Sequence, residues 1–480
     1  MKRRDFLKHL GLATAGAAFA PQMMASGATA HSESSLGASS HSPEDNYAPG
    51  ELNGMDYRFR PMKAVVDHKV SVVVVGAGNR GRTYGRYALN NKDVMQVVGV
   101  SDINPERKLD YALKHGIPEE RRYGDFHEIL SVPKFAEAML ICLPDDLHFE
   151  CCMKALELGY DVLLEKPMAQ TAEECRKLLV QSRRTGRILA TCHVLRYAPY
   201  FIAIREIVRR KVIGDVVSIQ HMEPIQYAHM AHSYVRGNWH DSKATTPIIL
   251  AKSCHDLDII RWILDKPCKS ISADGSIFLF KESNAPEGAP ARCTDGCPHE
   301  ARCPYSAIDI YTRKKSHNYV FDLKDPNDIG EIMEKLRTTD YGRCVYHCDN
   351  DQPDHYVADM VFEGDVTASF SMEAFTPWGG RRTRIMGTLG YLEGDGKTFT
   401  VTDFRTREKK LWNVKVEEIP EYKESGHGGG DHALLRDFIE AVSYQDPGRL
   451  SSTVDVSIES HLIGFAAERS RRTGRKEPIR

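Results

Sequence analysis

The chain has 480 residues, 41% hydrophobic and 27% charged, with a formal net charge of −2. That length is too great for one ordinary core and comfortable for two domains, and the composition is that of a globular protein. The near-neutral charge gives no electrostatic reason to expect a nucleic-acid or anionic-membrane partner, and beyond residue 30 no apolar run approaches the ~20 residues of a membrane span.

In chain order, Lys2-Arg3-Arg4-Asp5-Phe6-Leu7-Lys8 precedes a weakly apolar Ala/Gly stretch, and Ala28-Thr29-Ala30 offers small residues to a signal peptidase. A basic start, a short apolar segment and an A-x-A site read as a signal peptide over 1–30. The paired arginines resemble a twin-arginine address, so the expectation is a periplasmic or otherwise exported protein handled by the twin-arginine machinery. Residues 31–66, rich in Ser, Pro, Gly, His and Asn, read as a linker or wrapping arm.

Val70–Val75 is a nearly continuous β-branched run, which predicts a strand buried on both faces. Gly76-Ala77-Gly78-Asn79-Arg80-Gly81 follows at once and opens a helix. A second strand, Met95–Ser101, ends at Asp102, and Asn104-Pro105-Glu106 begins another helix. Further strands are expected at 136–143 and Asp161–Leu164, and helices at 148–158 and Ala172–Thr185. Strands alternating with helices predict an α/β, doubly wound parallel sheet over 67–192.

Placed between a strand and a helix, the G-x-G-x-x-G sequence reads as a dinucleotide site. Gly76 makes the tight turn, Gly78 lets the backbone approach a pyrophosphate, and Gly81 lets helix and strand pack closely. The helix N-terminus at Asn79 supplies unpaired N–H groups for the phosphates. Asp102 is placed to bind ribose hydroxyls and repel a 2′-phosphate, which favours NAD over NADP; Arg80 is a candidate for a phosphate or a 2′-phosphate.

After residue 190 the rhythm changes. A helix at 200–210, an alternating strand at 216–222, helical spacing at 249–264, strands at 270–279, 355–363, 366–375, 383–387 and 398–403, and closing helices at 432–442 and 454–469 predict an α+β domain over 193–480. Its sheet is expected to be open, mainly antiparallel and covered on one face. Within it, 281–350 reads as a polar, Cys-bearing insertion. Of 12 cysteines, Cys142, Cys151, Cys152, Cys175, Cys192, Cys254 and Cys268 lie in or beside core segments and read as buried thiols. The others form Cys293-x3-Cys297-x5-Cys303 and Cys344-x3-Cys348. Four of these thiolates can hold a structural zinc ion; two disulfides with a spare thiol, or free thiols, explain the same residues.

Four further motifs occur in order: Leu143-Pro144-Asp145-Asp146-Leu147-His148, Glu165-Lys166-Pro167, His255-Asp256-Leu257-Asp258 and Gly428-Gly429-Gly430-Asp431. With the glycine loop they resemble the Gfo/Idh/MocA family of sugar oxidoreductases, from about Val70 to the last helices. The resemblance implies that Leu143, Pro144, His148, Glu165 and Lys166 join the cofactor site. It also implies that Lys166 and His255 are the catalytic pair. Lys166 would act as base or carbonyl polariser, with His255 sharing proton transfer or binding a neighbouring hydroxyl. His193, Arg196, Tyr197, Trp239, Lys252, Asp258 and His427 are candidate substrate residues, the first two at the crossing between domains.

One position departs from the family pattern: its usual Asp four residues before the histidine is Ala251 here, and Lys252 follows. The resemblance implies a sugar or glycoside substrate and a homo-oligomer paired through the open sheet. Export adds an expectation of a tightly bound cofactor recycled in place. Two redox-neutral chemistries satisfy it: oxidation of one sugar coupled to reduction of a second carbonyl compound, as in glucose–fructose oxidoreductase, or transient oxidation of a ring hydroxyl, as in the NAD-dependent glycoside hydrolases. An ordinary soluble dehydrogenase without export and a non-enzymatic sugar sensor are the remaining alternatives, and the intact Glu165-Lys166-Pro167 argues against the second.

Overall fold

The computed structural model describes residues 60–413 and 415–479; the signal-like segment 1–30 and most of the 31–66 arm lie outside the described residues. Strands β1 (Val70–Val75), β2 (Met95–Ser101), β3 (Arg122–Tyr123), β4 (Ala138–Ile141), β5 (Asp161–Leu164) and β6 (Leu189–Thr191) form a parallel sheet in the order β3-β2-β1-β4-β5-β6. The strand order reverses beside β1, so a crevice opens at the carboxyl ends of β1 and β4, where ligands of doubly wound sheets bind.

Local chemistry sets the helix ends. The Asn104 side chain accepts from Arg107 N, with Pro105 at the first helical position of Pro105–His115. Thr171 and Glu174 form a reciprocal capping box on Ala172–Thr185, and Gly186 ends that helix at a positive φ of 64°.

The second sheet contains β7 (Val216–Pro224), β8 (Cys268–Ser276), β9 (His355–Phe362), β10 (Thr367–Glu373), β11 (Arg382–Gly387), β12 (Gly390–Gly394), β13 (Phe399–Asp403), β14 (Lys409–Trp412) and β15 (Glu477–Pro478). Their order is β14-β13-β12-β11-β7-β10-β9-β8-β15. All neighbours are antiparallel except β7 and β10. That parallel pair departs from a simple meander. After β7 the chain crosses the covered face through Cys254–Leu264 before entering β8, and a crossover of this kind is what parallel neighbours require. The helices Pro199–Arg209, Cys254–Leu264 and Val454–Thr473 bury one face, while Val217 and Val357 stand about half exposed on the strands.

Two expectations change in detail. The helix expected at 249–264 is two helices, Ile248–Ala251 and Cys254–Leu264, separated at Lys252 and Ser253. The insertion is not wholly irregular: Asp328 caps a helix, Ile329–Thr338, that buries Ile332 and Leu336. The described end of the arm wraps the helix Gly430–Tyr444. Arg60 pairs with Asp437 and Glu440, Met62 and Ala64 are buried, and Asp67 N donates to Ser443 Oγ. No helix among the described residues is long and apolar enough to cross a membrane.

Candidate active site

The glycine loop leaves β1 at the crevice. Gly76 has φ +93°, and a Cβ there would run into the Cys142 carbonyl at the end of β4; one on Gly81 would meet the Gly76 carbonyl. These two glycines serve the protein's own packing. Gly78 differs: the nearest atom to a Cβ there is Arg107 Nη1 at 3.9 Å. The space above it is open to a ligand, as a dinucleotide pyrophosphate requires. Asn79 begins the helix Asn79–Asn90 and is exposed. The Asp102 carboxylate accepts from Ala77 N and Asn104 N, both at 2.8 Å, which holds it beside the loop. The residues present therefore fit a dinucleotide whose ribose lies at the β2 end.

Arg80 does not face a phosphate. Its Nε donates to Glu165 Oε1 at 2.6 Å, Nη1 and Nη2 donate to the Asp431 oxygens at 3.1 and 2.9 Å, and Nη2 also donates to Tyr84 Oη at 2.7 Å. Burial alone would raise both carboxyls; Arg80 with Tyr84 at Glu165, and His427 with Arg80 at Asp431, hold them below the ordinary range. The Arg80 guanidinium, expected at a phosphate, and the Glu165 carboxylate, expected at the cofactor, are thus both engaged inside the protein. A guanidinium flanked by buried carboxylates is committed to charge pairing, and this one ties the glycine-loop helix to the late glycine loop.

Lys166 follows β5, with a cis peptide between it and Pro167. Its Nζ donates to the Ala251 carbonyl at 2.6 Å. The family's carboxylate is missing from this position, and the backbone oxygen at the helix break takes the lysine in its place. Lys252 pairs with Glu223 at 3.1 Å. Arg381 joins the other Glu223 oxygen at 2.9 Å and Asp256 at 2.7 Å.

His255 is buried, and its Nδ1 has no hydrogen-bond partner among the described residues. Burial pushes its pKa well below the ordinary imidazole value, and the charges of Lys166 and His427 act the same way. The ring is therefore neutral near pH 7. The His427 ring lies 5.8 Å from it, centroid to centroid, and His427 Nδ1 is 2.9 Å from Asp431 Oδ1. The structure thus gathers Lys166, Lys252, His255 and His427 in one region.

Other candidates support this region from behind. Arg196 and Asp258 form a fully buried two-point ion pair, at 2.7 and 2.6 Å. Tyr197 Oη lies 2.8 Å from Ser452 Oγ. His193 is buried between Asp258, Ser460 and the His255 ring, the last 6.3 Å away. Burial lowers the His193 pKa to about 3. Arg196, Tyr197 and Asp258, expected at the substrate, have their polar atoms engaged by protein partners and act as internal supports. His148, expected at the cofactor, is held likewise: its two ring nitrogens lie 2.7 and 2.9 Å from the Pro167 and Leu143 carbonyls, fastening the loop of Leu143 and Pro144 to the segment carrying Lys166. Trp239 packs its ring 6.1 Å from that of Tyr234.

Several residues were not singled out from sequence. His229 lies near Lys252 and Lys166, and burial with those charges drives its pKa far down. His317, from the insertion, stacks on His229 and on His232 at 5.3 and 4.4 Å. Asp322, also from the insertion, accepts from Arg82 at 3.1 Å and from Arg107 at 2.6 Å, beside Asp102. The insertion therefore reaches both the substrate side and the ribose side of the crevice. Neither His317 nor Asp322 carried a signal of this in the sequence. The 12 cysteines are free thiols in this structure, and among the described residues no three His, Cys, Asp or Glu side chains are drawn together tightly enough to hold one metal ion.

Comparison with known proteins places this geometry. Residues 70–193 match the oxidoreductase family model with an NAD-binding Rossmann fold, and 205–479 match the family's C-terminal α/β domain. The Bacillus subtilis (strain 168) protein YteT is 25% identical over 357 residues, 71% of this chain and 81% of that one. An inositol 2-dehydrogenase of Pseudomonas savastanoi pv. phaseolicola is 30% identical over 215 residues, 44% of this chain and 59% of its own length. Among solved structures, an inositol dehydrogenase homolog from Azotobacter vinelandii complexed with NAD+ superposes with a TM-score of 0.63 at 14% identity, covering 88% of this chain and all of that one. Levoglucosan dehydrogenase, complexed with NADH and levoglucosan, gives 0.63 at 15% identity, covering 86% and 99%. The two matched domains, in the order the crevice requires, make the chain a member of the Gfo/Idh/MocA family of oxidoreductases.

Proposed function

We propose that the chain is an NAD-dependent dehydrogenase of a sugar or polyol hydroxyl, with Lys166 and His255 at the reacting oxygen. The observation that carries this is the meeting of a Rossmann strand-end lysine with a neutral, buried histidine whose Nδ1 has no partner among the described residues. NAD, when bound, supplies a hydride acceptor. A lysine amine has several donor positions and the Ala251 carbonyl takes one, so Nζ can also hold the substrate oxygen. Neutral His255 accepts a hydrogen bond from the substrate hydroxyl and shares its proton transfer with Lys166. The inositol 2-dehydrogenases and the 1,5-anhydro-D-fructose reductase among the relatives support a polyol or sugar substrate. Asp102 favours NAD over NADP, and Arg107 beside it is engaged by Asp322. A screen of free sugars, polyols and glycosides, followed by nicotinamide absorbance and by release of aglycone, tests the reading. A Lys166→Ala variant with unchanged turnover on the substrate found would sink it.

Asp322 favours a second element: a cofactor retained and recycled in place, clasped by an insertion that bonds Arg82 and Arg107. The signal-like 1–30 supports export through the twin-arginine route, where retention would be needed, and the half-exposed sheet face supports a homo-oligomer. Purification without added nucleotide should give protein that still carries nicotinamide, and Asp322→Ala should release it. Nucleotide-free protein that needs added NAD would overturn retention while leaving the dehydrogenase reading intact. Fractionation of the native host checks export.

A further inference from the structure

The insertion brings cysteines from two segments to one place. Cys293 N donates to the Gly342 carbonyl and Cys344 N to the Ala291 carbonyl, at 3.0 and 2.8 Å, so these segments run side by side as a short antiparallel bridge. The helical turn Glu300–Arg302 folds Cys303 back toward Cys297, with Glu300 N donating to the Cys297 carbonyl at 3.2 Å. As a result Cys293, Cys297, Cys303 and Cys344 line one small pocket beside Arg236. Cys348 is not part of that lining; its thiol donates to the Cys344 carbonyl at 3.2 Å.

Arg236 supplies the second observation. It comes from the helical turn Ala231–Arg236, outside the insertion, and is 2% exposed. Its Nε donates to the Arg343 carbonyl at 2.6 Å, and its Nη2 to the Tyr305 carbonyl at 2.7 Å and toward Cys293 Sγ at 3.7 Å. None of these partners is a carboxylate, and Nη1 is buried without a partner among the described residues. A buried guanidinium without a counter-charge is strongly unfavourable, so this pocket calls for an anion. Ala307 N also donates to Cys293 Sγ at 3.4 Å, the contact that stabilises a sulfur carrying negative charge.

We propose that Cys293, Cys297, Cys303 and Cys344 bind a thiophilic metal centre through four thiolates, with Arg236 balancing its charge. A divalent ion with four thiolates keeps a net negative charge, as does an iron–sulfur cluster with the same ligands. The thiols line the pocket wall rather than converge on a point. A bound centre draws them inward. Either centre staples the base of an insertion whose far end places His317 and Asp322 over the crevice.

The test uses the full-length chain, expressed with both zinc and iron supplied and purified without chelator. Elemental analysis should give roughly one zinc per chain, or iron together with acid-labile sulfide. The two results name the metal, and each supports the site. Cys297→Ser and Cys303→Ser should lose the metal, whereas Cys348→Ser should keep it. If the first two variants do not fold, wild-type protein decides: a chelator should unmask four thiols to a thiol reagent and make the insertion sensitive to limited proteolysis. Metal-free wild-type protein, with these thiols reactive before chelation or paired as disulfides by non-reducing mass spectrometry, would overturn the proposal. Loss of metal on Cys348→Ser alone would overturn the ligand set.

Discussion

The two sides of the crevice are built by opposite means. On the dinucleotide side, Gly76, Gly78, Gly81 and Asp102 come from one strand–helix–strand unit, and backbone atoms do most of the holding: Ala77 N and Asn104 N fix the Asp102 carboxylate. On the substrate side, Lys166, Glu223, His229, His255, Arg381 and His427 come from separate elements, and charged side chains hold one another. Arg80 joins the two through Glu165 and Asp431. A backbone-built site depends on local conformation and on the absence of side chains. A side-chain-built site depends on every element that delivers a member, so damage far away in the chain reaches it.

The largest expected effect breaks the substrate side alone. Lys166→Met and His255→Ala should each reduce turnover by ~10²–10⁴-fold, the usual loss for a proton carrier. NAD affinity, followed by fluorescence titration, should survive, and the double variant should be little worse than the poorer single because the two act as one unit. Parallel loss of NAD affinity would mean that the two sides are not separable.

Next comes the joint. Arg80→Met leaves the Glu165 and Asp431 carboxylates buried without their counter-charge. Breaking a buried pair in this way costs about 3–5 kcal/mol, here to be read from urea unfolding. A change below about 0.5 kcal/mol, the range of ordinary surface substitutions, would show that Arg80 joins nothing.

A milder change sharpens the dinucleotide side. Gly78→Ala meets open space in the protein, so the variant should fold with near-normal stability yet bind NAD more weakly. Gly76→Ala should instead fail to fold properly, since its φ of +93° and the Cys142 carbonyl both exclude a side chain. Equal behaviour of the two variants would remove the distinction between packing and ligand glycines.

The smallest effect is a pH dependence of stability on the substrate side. Burial holds His193 at about 3 and His461 at about 4, and lowers His255 as well. Because the unfolded chain titrates near 6.5, it takes up protons that the folded chain refuses between that value and these. Stability is therefore full above about pH 6.5 and falls as pH drops below it. The melting temperature should be lower at pH 5 than at pH 7, and His193→Asn should flatten the slope. An unchanged slope would mean that His193 does not contribute.

Much of the first domain was legible because its signals are local. Val70–Val75, Met95–Ser101, Asp161–Leu164 and Ala172–Thr185 form over the residues that periodicity and caps indicate, and the G-x-G-x-x-G turn lies between β1 and its helix. The second domain's longer strands were readable from alternation, but β12, β14 and β15 were missed and the parallel pairing of β7 with β10 was not foreseen. Pairing direction is set by where the chain crosses the covered face, which alternation does not encode.

The sequence by itself determined the strand and helix periods, the positions that must be glycine, and the motifs that place Lys166 and His255 in the family's order. Only the tertiary structure decided what the charges do. Arg80 reads as a phosphate ligand until Asp431, 351 positions away, takes its guanidinium. Arg196 and Asp258 read as substrate contacts until they are found paired, and Lys166 finds the Ala251 carbonyl where the sequence shows only a missing carboxylate. A dihedral preference acts between neighbours and is written into them. A charge acts through space, over a few ångströms at low dielectric, and its partner is whichever residue the fold brings within reach.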